Sequence, residues 1–98
     1  MDATLSDAIV AYLAKGRSPF PKSDADAVAP EAPPAQREAL IAAAQAIIEE
    51  CLAVDVDWNS HSLSEGGRRA QAVIAERHPE LTPEALEALY WAFTYNWR

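Results

Sequence analysis

The stretch PAQREALIAAAQAIIEECLAV, residues 34–54, decides the class of the fold. Leu40, Ile41, Ala44, Ile47, Ile48, Cys51 and Leu52 recur at intervals of three and four, so a helix gathers them on one broad face, while Glu49 and Glu50 turn outward. A face of that width has to be buried, and matching apolar stripes lie on both sides of it in the chain. Upstream, Leu5, Ile9, Tyr12 and Leu13 mark a helix expected to begin after Thr4, with Asp7 at capping distance, and to stop at Gly16. Downstream, Leu63, Gly67, Ala70 and Ile74 mark a third helix that starts near Ser62, where Glu65 can complete a capping box, and ends at Pro79. Thr82 as cap, Pro83 at the first helical position and Leu81 set to staple onto Leu86 open a fourth helix that runs to the C-terminus. Strand-like alternation is absent. The sequence therefore predicts an all-α protein, a compact bundle of four helices forming a single domain over residues 1–98.

Between the first two helices lies GRSPFPKSDADAVAPEAPPA, residues 16–35, with five of the seven prolines. Proline removes a backbone donor and pushes the preceding residue out of helical geometry, so this is expected to be an irregular crossing segment. A short turn after Ser23 is expected to carry Val28, and Phe20, between Pro19 and Pro21, reads as an apolar peg on a stiff arm. Pro30 and Pro33 have the spacing of a ligand for a proline-reading domain, a pattern of low specificity.

A chain of 98 residues can bury enough surface for one core. The single cysteine, Cys51, permits no internal disulfide and points to a reducing, cytoplasmic setting. The N-terminal MDATLSDAIVAYLAKG lacks the basic flank and apolar run of a signal peptide or membrane span, so no membrane association is expected. Net charge is −7, and its excess lies upstream of Gly66, where eleven acidic side chains face four basic ones. Such a surface repels phosphate backbones and attracts basic proteins, which argues against nucleic acid and for a protein partner, although acidity also serves solubility.

Two patterns carry the candidate chemistry. In AVDVDWNSHSLSEGG, residues 53–67, Asp55, Asp57 and Asn59 occupy the first, third and fifth places of a calcium-binding EF-hand loop. The match then breaks: Ser60 stands where glycine makes the sharp turn, and Glu65 comes one residue before the place of the bidentate glutamate, held here by Gly66. His61 could join Asp55, Asp57 and Glu65 around a transition metal, without the paired-histidine spacing such sites use. The same residues equally serve to end one helix and cap the next. Gly66 and Gly67, each lowering helix propensity by about 1 kcal/mol against alanine, imply that a backbone or something bulky comes close, and Gly67 with Ala70 is expected to admit a neighbouring helix or an indole such as Trp58 or Trp97. Arg68 and Arg69 are expected to project from the apolar stripe into solvent.

The second pattern is ALYWAFTYNWR, residues 88–98, with five of the chain's eight aromatics. Helical spacing puts Leu86, Leu89, Tyr90, Phe93 and Trp97 on a core face and turns Trp91 and Tyr95 the other way, beside Glu84, Glu87 and Arg98. Either the Phe20 arm covers those two rings, or Trp91, Tyr95 and Arg98 form a binding surface. Cys51 sits in the middle of an apolar face, where a thiol is a small hydrophobe, and outward glutamates lack the desolvation of a catalytic acid. The expectation is a non-enzymatic, cofactor-free acidic protein that acts as a protein-interaction or inhibitor-like module, through a protein partner or self-association. The alternative is a divalent-cation-binding domain using the Asp55 to Glu65 loop.

Overall fold

The computed structural model describes residues 3–97, and Arg98, a predicted binding residue, lies outside them. In chain order the elements are α1 (Ala3–Leu13), a single 3-10 turn (Ala25–Ala27), α2 (Pro34–Leu52), α3 (Leu63–Arg77) and α4 (Pro83–Asn96), and the described residues contain no strand. The all-α bundle of four helices is thus present. Both α1 and α3 pack against α2 and α4, and those two also touch each other.

Buried positions follow the helical period in each element: Ile9, Tyr12 and Leu13 in α1, Ala44, Ile47, Ile48 and Cys51 in α2, Gly66, Gly67, Ala70 and Ile74 in α3. In α4 the buried face is Ala85, Ala88, Leu89, Ala92 and Phe93. That face is rotated from the expected one: Leu86 and Tyr90 are half-buried, and Trp97 is 47% exposed. The expected face was drawn through the largest side chains. Because α4 is surrounded by three helices, its inner positions need small residues that let backbones approach, and alanine supplies them. Fully burying Phe93, Ile9, Ile74 and Leu89 contributes about 1.5–3 kcal/mol for each.

The glycines of α3 mark the tightest approach. A methyl group at Gly67 would lie 2.6 Å from Thr94 Cγ2 and 2.7 Å from Tyr90 Cε2, both on α4. At Gly66 it would lie 2.6 Å from the Trp58 ring. The nearest groups to the two glycines therefore differ, side chains of α4 at Gly67 and the Trp58 indole with Val56 at Gly66. Arg68, expected to be simply solvated, lies across the Tyr90 ring at 3.7 Å from its centroid and donates to Glu87 at 2.7 Å.

Helix ends are closed by specific polar contacts. Instead of starting after Thr4, α1 includes it in its first turn. It also ends before Gly16, which takes the expected positive φ (88°), but Ala14 is left-handed too (φ 62°), and Lys15 N–H reaches back to Val10 and Ala14 N–H to Ala11. The Tyr12 and Leu13 carbonyls accept from the crossing segment, from Asp24 N–H at 2.8 Å and Lys22 N–H at 3.0 Å, and Ala11 accepts a second bond from Arg17 Nη2 at 2.7 Å. Arg37 of α2 donates to the carbonyls of Val28 and Ala25, locking the 3-10 turn with Val28 fully buried. A 2.9 Å bond from Ala32 N–H to the Ala29 carbonyl folds Pro30 into a turn, so the Pro30 to Pro33 stretch is not the extended helix a proline-reading domain takes. At the start of α4, Thr82 caps Ala85 with its hydroxyl, and Thr82 N–H is itself received by the buried Ser6 of α1 at 3.0 Å.

Gly67→Leu is expected to cost about 1–3 kcal/mol in urea unfolding, because Thr94 is short and fixed to α4 and cannot move aside, whereas Arg69→Leu on the exposed face should change little. Ser6→Ala, which strands the Thr82 N–H, is expected to cost about 1–3 kcal/mol by the same measurement.

Candidate functional site

The acidic loop between α2 and α3 is built by its own side chains. Asp57 accepts from Asn59 N–H at 3.0 Å through one oxygen and from the Ser60 hydroxyl at 2.9 Å through the other, and Ser60 N–H closes a turn on the Asp57 carbonyl. Glu65 accepts from Ser62 N–H at 2.8 Å while Ser62 Oγ accepts from Glu65 N–H, which completes the capping box of α3. These bonds hold both carboxyls below the usual range, Asp57 chiefly through the Ser60 hydroxyl and Glu65 chiefly through the Ser62 backbone. Asp55, Asn59 and His61 are exposed. Among the described residues no three His, Cys, Asp or Glu side chains converge as a metal's ligand set would.

The Asp57 turn has a further consequence, since its second residue is Trp58. The indole lies over Gly66 and stacks on the buried Phe93, with centroids 6.0 Å apart and planes inclined by 24°. Trp97, at the C-cap of α4, meets the same ring at 5.9 Å and Phe93 at 6.2 Å. Trp58 remains 40% exposed. The two indoles thus form the outer layer of an aromatic stack rooted in the core.

On the other side of the last turn of α4, Phe20 of the crossing segment approaches Tyr95 at 6.4 Å, yet both rings stay more than two-fifths exposed. The arm therefore touches Tyr95 without covering it. Trp91 is half-buried and packs against the core, with Lys15 rather than Phe20 beside its ring at 5.9 Å. Of the residues singled out in the sequence, Tyr95 stands on the surface and Trp91 largely within it. Trp58 and Trp97 escaped that reading: one was treated as a filler for the α3 glycines, the other as a core residue. The available signal was position, because Trp97 lies beyond the last buried residue of α4 and a ring there has no further layer to enter.

Glu50 does not simply face water: it binds Arg77 Nη1 at 3.0 Å, and its other oxygen lies 3.0 Å from His78 Nε2, which donates to the ionised carboxylate. These contacts tie α2 to the end of α3. Cys51 is buried, and desolvation pushes its thiol up to about 12, the opposite of an activated nucleophile.

The chain matches no protein-family model, no curated protein and no solved structure.

The Glu50 tie makes stability depend on acidity. Its carboxyl is held below the ordinary value of 4.5 by the hydrogen bond from His78 and then by that from Arg77. The folded state thus binds that proton more weakly than the unfolded chain, so the stabilisation is present above 4.5 and is lost as the pH falls through the depressed folded value. Glu50→Gln is expected to melt below the parent at pH 7 and to converge with it in acid, as followed by circular dichroism.

Proposed function

We propose that this protein is a non-enzymatic interaction module that binds a partner protein through the aromatic end of α4, in an inhibitor-like manner. The observation that carries the reading is the distribution of exposed rings. Phe20, Trp58, Tyr95 and Trp97, the large apolar side chains exposed among the described residues, all gather around one helix end in two contacting pairs. Single exposed apolar residues are ordinary, but grouped aromatics are characteristic of interface centres, where tryptophan and tyrosine supply most of the binding energy. The rings are also held in advance: Trp58 is seated by the Asp57 turn and by Phe93, which lowers the ordering cost of binding.

Cys51, with its thiol buried and its proton held tightly, supports a packing role over nucleophilic chemistry. A lone cysteine also suits a cytoplasmic setting, and no helix among the described residues is long and apolar enough to cross a membrane. Net charge of −7 disfavours nucleic acid as the partner.

The test is affinity capture from the source cell with the parent and Trp97→Ser side by side. Trp97 is a C-cap residue nearly half exposed, so its replacement is expected to leave the melting temperature close to the parent's. A protein retained by the parent and lost by the variant is the expected result. Equal retention of every captured protein would refute the reading.

A further inference from the structure

The fold places its own cations against its aromatic rings in three places. Lys15 lies by Trp91 at 5.9 Å, Lys22 by Phe20 at 5.9 Å, and the Arg68 guanidinium lies across Tyr90 at 3.7 Å. Each arrangement offers positive charge to the electron-rich face of a ring. Trp58 and Trp97 differ: among the described residues no lysine or arginine faces either indole, although tryptophan is the strongest cation acceptor of the three aromatics.

The segment that carries Trp58 holds three carboxylates, with His61 among them and no lysine or arginine from Asp55 to Gly67. Asp55 and Asp57 precede Trp58 in the loop, and Glu65 precedes the glycine on which the indole lies. All three carboxylates are exposed, and none is ion-paired with a lysine or arginine among the described residues. On the opposite side of the α4 end, by contrast, Lys22 already occupies the Phe20 ring and Arg17 pairs with Asp24 at 3.6 Å. Two exposed indoles that no lysine or arginine among the described residues faces, one of them carried by a loop with exposed carboxylates, complement a positively charged chain. A second copy of the protein is opposed by the mutual repulsion of two chains of net charge −7.

We infer that the Trp58–Trp97 face takes a lysine- or arginine-rich segment of the partner protein, one cation lying over the indoles and its neighbours pairing with Asp55 and Asp57; this rests on the protein-binding reading above. The aromatic stack supplies the fixed platform, and the carboxylates orient and accelerate the approach of the segment.

The experiment is a titration of the full-length, nitrogen-15-labelled chain with an acetylated, amidated peptide of alternating arginine and glycine, against a matched glutamate–glycine peptide. Saturable shifts of the Trp58 and Trp97 indole N–H signals are expected, with Trp91 as the unmoved internal reference and no response to the acidic peptide. Trp97→Leu, which keeps apolar surface and removes the ring face, is expected to weaken binding roughly two- to fivefold. Joint replacement Asp55→Asn and Asp57→Asn is expected to weaken it and to flatten its salt dependence, and because asparagine also forms the loop turn the melting temperature should hold. Absence of a saturable shift, or an affinity indifferent to Trp97→Leu, overturns the inference. If the peptide fails while Trp97→Ser still loses a captured protein, the cationic assignment falls and the interaction reading stands; if both fail, both are refuted. Concentration-dependent association of the parent that Trp97→Leu abolishes would replace the cationic segment with a second copy.

Discussion

The approach of α3 to α4 is limited by Gly67, at whose surface any side chain would run into Thr94 and Tyr90. This closeness sets the position of α4 between its neighbours, and the buried alanines at 85, 88 and 92 allow α1 and α2 to close on its other sides. Large side chains are then left to particular places: Phe93 and Leu89 fill the interior, while Tyr90 lies along the α3 seam beneath Arg68. Beyond Thr94 no residue of α4 is buried. The rings at its end meet loop residues, Tyr95 touching Phe20 on one side and Trp97 touching Trp58 on the other, with Trp97 also against Phe93 of its own helix.

Polar contacts hold what apolar packing leaves loose. A segment with five prolines has few ladder hydrogen bonds to offer, yet here it returns along the end of α1 and satisfies carbonyls that the helix cannot satisfy itself. Arg37 fixes the next stretch through two backbone carbonyls, and Ser6 joins the first helix to the start of the last. Among the described residues no buried side-chain nitrogen or oxygen lacks a partner. The result is a small bundle whose connections are as specified as its helices.

The loop before α3 shows how one set of side chains can resemble one device and build another. Alternating acidic and amide residues resemble a calcium loop because both structures need oxygen atoms at short spacing. In this loop the oxygens of Asp57 and Glu65 receive backbone and hydroxyl hydrogens, and the turn they shape holds Trp58 against Phe93. The acidic residues thus bear on the surface indirectly, by presenting an indole.

Helix identity, the capping of α3 and α4, the inward placement of Val28 and the burial of Cys51 were all legible in the sequence, because each depends on spacing within a few residues of the chain. The need for small residues at Gly66 and Gly67 was legible too, but not which groups would come near them. Rotation of α4 about its axis, the engagement of Glu50 by His78 and the exposure of Trp97 were decided only by tertiary structure. Each of these depends on what lies across a gap between elements distant in sequence. A stripe drawn by residue size assumes that the largest side chains point inward. In a helix enclosed by three others, close packing reverses that assumption and leaves the inner face to alanine.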